Sequence, residues 1–278
     1  SVDSTALSTA AGATLQAASG ALVTGAAVTN DGNFDVNGLV SIAELDNTGA
    51  TTLNASLFLN SGTSDLGGTI TGVGGLIVLG GTANVTTALA YSGTTGISGG
   101  DMNVTGAGAL ASTAVNVSSG TLTTDSDALA PGAQVNVSDT GTFTSSGTDS
   151  YTSITQTGGT INGSGVQTLS GGFNQSGGST GDTVDINAAT FTQSNSATIG
   201  AGTKVTSSGA QTLSGGTIAG NLDGAGAVTV DTATTSLTGA GAITGASAIG
   251  IVAGGTLASD GDGISDAVTV TNDGVLTL

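Results

Sequence analysis

Apolar and polar side chains alternate in short runs along most of this chain, and glycine, asparagine or aspartate closes each run. Val115-Asn116-Val117-Ser118, Val135-Asn136-Val137-Ser138, Val184-Asp185-Ile186, Val228-Thr229-Val230 and Val268-Thr269-Val270 all follow this pattern. A period of two places the apolar residues on one side and the polar ones on the other. It predicts short strands with one buried face. Helical periodicity is nowhere sustained. The runs also recur at a nearly fixed spacing. Ile154-Thr155-Gln156, Phe173-Asn174-Gln175 and Phe191-Thr192-Gln193 begin 19 and 18 residues apart. The Asn-Val pairs at Asn84 and Asn103, and at Asn116 and Asn136, are separated by 19 and 20. The octapeptide Gly165–Gly172 returns with one substitution as Gly209–Gly216, 44 residues on, as two turns of about 22 would give. Short β segments that recur at such an interval predict a parallel β-helix, in which each coil buries its apolar side against its neighbours.

Turn residues sit where the coils must bend. Asn30-Asp31-Gly32 precedes Phe34-Asp35-Val36, and Asn47-Thr48-Gly49 precedes Thr51-Thr52-Leu53. Asparagine and glycine tolerate the left-handed backbone of a sharp corner, which is the expected reason for their placement. Pro131, in Ala130-Pro131-Gly132-Ala133, marks a corner leading into a strand. No composition shift divides the chain. The expectation is an all-β, single-domain β-solenoid over residues 1–278, of roughly 13–15 coils. Residues 1–27 are read as irregular first coils and 28–278 as regular repeats of about 19–22 residues.

Composition narrows this further. Fifty glycines, five phenylalanines, two tyrosines and no tryptophan leave too few large side chains for a thick two-layer core. A narrow lumen stacked with Val, Ile, Leu, Ala and Thr needs none. Nineteen acidic residues face a single lysine, for a net charge of −18. That balance excludes nucleic acid as a partner, because phosphate contacts need Lys and Arg. The apolar runs, such as Leu76-Ile77-Val78-Leu79, are far short of the roughly 20 residues that span a bilayer as a helix, so no direct membrane insertion is expected. Cysteine is absent, and Ser1 is not followed by a secretory leader pattern.

Gly254-Gly255-Thr256-Leu257, Gly261-Asp262-Gly263-Ile264, Gly67–Leu76 and Leu129-Ala130-Pro131-Gly132-Ala133-Gln134-Val135 resemble the repeat of bacterial autotransporter passenger domains and related large surface adhesins. The resemblance implies a right-handed parallel β-helix displayed at the bacterial cell surface, outside the cell. It further implies adhesion, self-association or surface coating, with host or cell-surface glycans as partners. The membrane-anchoring barrel of those proteins has no counterpart among these residues.

Little catalytic chemistry is available. There is no His, Cys or Arg, and Lys204 lies in Thr203-Lys204-Val205-Thr206, which matches no nucleophile motif. Lys204 is expected on a solvated face. The carboxylate pairs Asp182/Asp185 and Asp125/Asp127 are the candidates for a polysaccharide lyase or hydrolase, the enzyme alternative on this fold. The sharpest motif is Asp260-Gly261-Asp262-Gly263-Ile264-Ser265-Asp266, whose Asp260, Asp262 and Asp266 are spaced as in loops that wrap calcium. The competing expectation is a plain corner of the repeat. The function expected is non-enzymatic: a structural or adhesive surface protein that assembles end to end into filaments or a layer, with calcium as the candidate cofactor. A monomeric adhesin from which this chain is a passenger fragment is the second alternative. The strand-like, nearly uncharged segment Val268–Leu278 motivates the assembly expectation, since open strand edges recruit further strands.

Overall fold

A strand of three or four residues has too few hydrogen bonds to persist alone, so each must be held by the strands one coil before and one coil after it. The computed structural model, which describes residues 2–3, 6–19, 23–181, 183–265 and 268–278, shows this arrangement throughout. The chain is an all-β parallel solenoid of about 14 turns, with no helix among the described residues. It divides into two compact units, Ser1–Val135 with Gly141–Thr144, and Asn136–Thr140 with Ser145–Leu278.

In the first unit most coils contribute three strands, one to each face, while the long strands Thr95–Val104 and Ala114–Thr124 each serve the first and second faces together. The first face stacks Val23–Thr24, Val40–Ile42, Leu57–Leu59 and Leu76–Val78, then the start of the long strand Thr95–Val104. The second face stacks Ala6–Thr9, Ala27–Asn30, Glu44–Asn47, Thr63–Leu66 and Thr82–Val85. The third stacks Thr14–Ala17, Asn33–Val36, Ala50–Leu53, Thr69–Gly72, Ala88–Tyr91 and Ala109–Leu110. Residues 6–17 already pair in full register with the next coil, Ala6 on Ala27 and Thr14 on Asn33. Pro131 lies in a turn closed by a backbone hydrogen bond, Ala133 N donating to Ala130 O at 2.8 Å.

The second unit repeats the plan. Its first face carries Ser153–Gln156, Gly172–Gln175, Thr190–Ser194, Gln211–Ser214, Val228–Val230, Ala248–Ile251 and Thr269–Asn272. Its third carries Asp149–Tyr151, Val166–Leu169, Asp185–Ala188, Lys204–Ser207, Asn221–Asp223 and Ala242–Thr244. Ile154, Phe173 and Phe191 stack directly on one another, and the two phenylalanine rings lie 5.4 Å apart at 30°. Val137 and Ile186 are buried, as their alternation predicts.

Two details depart from the sequence reading. Some coils are shorter than the expected range: Val40 stacks directly on Val23, Val228 on Gln211 and Asn221 on Lys204. Others, such as the coil from Val228 to Ile249, keep to it. The octapeptide is also no structural repeat. Val166 stacks on Asp185 and that on Lys204, so two turns from Val166 lead to Lys204 on the third face and not to the second copy. That copy instead forms Gln211–Ser214 on the first face. Alternation fixes which residues of the octapeptide point inward, Gln167 and Leu169 or Gln211 and Leu213, but it carries no information on which face the strand joins.

Left-handed glycines do occur at corners, Gly62, Gly81, Gly106 and Gly239 among them, but the glycines after Asn30 and Asn47 are required for a different reason. Gly32, Gly49 and Gly68 do not occupy the left-handed region. They stack, and a Cβ on Gly49 would lie 2.2 Å from the carbonyl oxygen of Gly32, while one on Gly68 would lie 2.2 Å from that of Gly49. The constraint is close coil-to-coil approach. Gly49→Ala is therefore expected to destabilise the first unit by about 1–3 kcal/mol. Gly250→Ala, whose Cβ would meet nothing within 4 Å, should be neutral or slightly stabilising. Urea unfolding of both variants checks this; equal behaviour would contradict the close-approach explanation.

Candidate functional site: aspartate corners and the polar lumen

The Asp260–Asp266 segment follows the strand Thr256–Ser259 and turns the chain onto the third face. Asp260 and Asp262 are exposed; Asp266 lies outside the described residues. Asp260 Oδ2 accepts the backbone N–H of Gly239 at 3.1 Å, and Gly239 has φ 62°. Ile264 then pairs with Ile243, whose N–H donates to Gly263 O at 2.7 Å. The two aspartates and Gly239–Ala242 line a shallow depression of about 200 Å³.

The other Asp-x-Asp pair of the sequence is built the same way. Asp125 follows the strand Ala114–Thr124, and its Oδ2 accepts Gly106 N–H at 3.1 Å, with Gly106 at φ 66°. Asp127 sits in a left-handed turn at φ 57°, and Leu129 then pairs with Leu110. In both places the first aspartate of the pair ties down the exposed amide of a left-handed glycine one coil earlier. An apolar residue then anchors the third face. This corner chemistry gives Asp260, like Asp125, a structural role between successive coils. Among the described residues no three acidic side chains are gathered at one point. Asp185 stacks on Lys204 in register, and its expected partner Asp182 lies outside the described residues.

Lys204 is half-exposed and forms a 3.0 Å ion pair with Asp223 Oδ2 on the third face. The lysine hydrogen bond is the main influence that lowers the Asp223 carboxyl below its ordinary range; partial burial opposes it.

Sequence reasoning placed polar residues outside, and here the structure adds most. Gln156, Gln175 and Gln193 are fully buried and stack in register at the end of the first face. Each amide reaches across the corner: Gln156 Nε2 donates to Ser179 O at 2.9 Å, Gln175 Nε2 to Thr198 O at 3.0 Å, and Gln193 Nε2 to Thr217 O at 3.1 Å. Gln175 Nε2 also donates to Gln156 Oε1 at 3.0 Å. In the first unit Asn30 and Asn47 stack likewise, with Asn30 Nδ2 donating to Asn47 Oδ1 at 2.8 Å. The signal lies in the sequence: glutamine recurs at the third position of three segments that share an apolar first residue.

A second buried network joins Ser145, Asp149, Tyr151 and Gln167. Tyr151 OH donates to Gln167 Oε1 at 2.6 Å, Gln167 Nε2 donates to Ser145 Oγ at 2.8 Å, and Ser145 Oγ donates to Asp149 Oδ2 at 3.2 Å. Burial pushes the Tyr151 phenol well up, and the Asp149 charge adds to it. Tyr91 is likewise raised by burial, with its hydrogen bond to Thr95 opposing.

The chain matches no protein-family model, no curated protein and no solved structure.

Two outcomes are expected from these contacts. Gln211 takes the apolar position between Phe191 and Val228, and neither of its buried amide atoms has a hydrogen-bond partner. Gln211→Leu should stabilise by about 1–2 kcal/mol, whereas Gln167→Leu, which removes the acceptor of Tyr151 OH, should destabilise by a similar amount. Thermal unfolding of the two variants reads the opposite signs. Because the Asp223 pKa is depressed in the folded state, its pair with Lys204 contributes above the unfolded carboxylate value of about 3.9 and is lost as pH falls through the lower folded value. Lys204→Met should therefore cost a few tenths of a kcal/mol at neutral pH, since the pair is solvent-accessible, and nothing once Asp223 is protonated. A difference that persists at the acid end would contradict the assignment.

Proposed function

We propose that this protein is a non-catalytic structural or adhesive component of the bacterial cell surface, a passenger-like solenoid that associates end to end. The observation that carries the reading is the set of outward polar columns on the second unit. Thr155, Asn174, Thr192, Thr212 and Thr229 stack in register on its first face. Ser150, Thr168, Asn187, Thr206, Asp223 and Thr244 do the same on its third. Strand spacing repeats these hydroxyl and amide groups every ~4.8 Å, which suits many weak, repeated contacts to glycan hydroxyls and not one deep pocket.

End-to-end association draws on the last described strands. Thr269–Asn272 and Val275–Thr277 pair with Ala248–Ile251 and Thr256–Ser259 on one side. Val270 and Leu276, at lumen positions, are only half-buried there, and they line a depression of about 340 Å³ with Ile264, Val268 and Leu278. A further coil from a second copy completes the ladder and covers these residues; continuing chain would satisfy the same edge. Repulsion between copies of charge −18 opposes stacking, and salt or calcium near Asp260 and Asp262 relieves it.

Negative-stain microscopy and light scattering, with and without calcium and at low and high salt, test the assembly. Filaments or growing particles that increase with either ion are expected. Monomers at high concentration in every condition would remove self-assembly. Turnover of neutral or acidic polysaccharides abolished by changing a single aspartate pair would overturn the non-catalytic reading.

A further inference from the structure

Strand alternation makes the outward positions of this chain polar almost everywhere, and the first face of the first unit breaks that rule. Leu57, Leu59, Leu76 and Val78 point into the lumen, so Phe58 and Ile77 between them point outward, stacked on one another in register. Of the seven aromatic side chains, six are fully buried, and Phe58 is the one left partly open. Ile77 in turn covers Gly96, where a Cβ would lie 3.0 Å from Ile77 Cδ1. At the corners bordering this face, Leu39 is 52% exposed, Leu79 42% and Val73 72%. These three are the exposed large apolar residues found among the described part of the first unit; Val73 and Leu79 belong to the coils that carry Phe58 and Ile77, and Leu39 opens the coil before them, two residues ahead of Ser41, which pairs with Phe58. Exposed apolar residues scattered singly need no explanation, but a contiguous group on one face does.

The surroundings are of one sign. Residues 1–135 contain nine acidic side chains and no Lys or Arg. Glu44 stands at the corner beside this face, its Oε2 accepting Thr63 N–H at 3.2 Å. Asp46 and Asp65 follow on the second face, joined by Asp65 N–H to Asp46 Oδ1 at 3.4 Å, and Asp35 stands on the third. An apolar strip between acidic flanks repels a second copy of itself, which would bring the same charges. It complements a segment of the opposite design.

We infer that the outward strip of Phe58, Ile77, Leu39 and Leu79 is a docking surface for a protein segment with an apolar centre flanked by Lys or Arg. The apolar centre covers the phenylalanine and isoleucine, and the basic flanks meet Glu44, Asp46 and Asp65 on one side and Asp35 on the other. This lateral surface is separate from the strand edges invoked for assembly, so its failure would leave the scaffold reading standing.

Fluorescence anisotropy with the full chain and the labelled peptide Lys-Lys-Leu-Phe-Val-Lys-Lys tests it. Two control peptides replace either the central three residues by serine or the four lysines by glutamine. Binding is expected to weaken by about tenfold for either control. Phe58→Ser with Ile77→Thr should weaken the parent peptide by a similar factor, and Leu39→Ser alone, at an exposed corner, by about threefold. An unchanged circular dichroism spectrum and unfolding midpoint accompany the Leu39→Ser loss. The inference is overturned if the serine-centred peptide binds as well as the parent, if all three substitutions leave binding unchanged, or if Phe58 instead governs dimerisation in sedimentation velocity.

Discussion

The structure depends on backbone hydrogen bonding between successive coils, at a separation set by the parallel strand ladder. Strands of three or four residues gain stability only by stacking, so every position is constrained by what lies directly above and below it. Corners feel this most. Where Gly32, Gly49 and Gly68 stack, the carbonyl of one coil occupies the place a side chain would need in the next. The abundance of glycine thus follows from tight coil spacing at the bends, and only in part from unusual backbone angles.

The same constraint decides what the lumen can hold. A column of identical residues one strand spacing apart rewards side chains that either pack flat, as Phe173 and Phe191 do, or bond to their own copies, as Gln156 and Gln175 do. Buried amides that also reach the carbonyls across a corner lock the angle between two faces and penalise any slip in register. Gln211 shows the opposite case: the same peptide context as Gln167, placed on another face, leaves its amide without partners. Register devices of this kind are structural, and the outward Thr, Asn and Ser columns inherit their regularity from them.

Much of the architecture was legible because alternation and spacing report directly on burial and coil length. Ile154, Phe173 and Phe191, and Asn84 and Asn103, stack as their spacing requires. The octapeptide misled because local sequence sets in and out, whereas the face is set by how much chain each corner consumes. The role of Asp125 and Asp260 was hidden for a related reason: their partner amides, on Gly106 and Gly239, lie one coil away, and although both glycines open the same Gly-Ala-Gly-Ala run, nothing in that run says which side chain stacks over it. Phe58 was invisible as an outward residue, since an apolar run such as Leu57-Phe58-Leu59 does not reveal which member faces water.

Coil length differs from turn to turn, shorter from Gln211 to Val228 than from Val228 to Ile249, while neighbouring strands keep their register, so the bends absorb every difference. One bend, between Ile97 and Asp101, does so by a local slip within a pair of long strands. A short insertion at such a bend would leave the ladders on either side undisturbed. The bends are therefore natural acceptor points for grafted loops, allowing foreign epitopes to be displayed at chosen heights within either unit without redesigning its lumen.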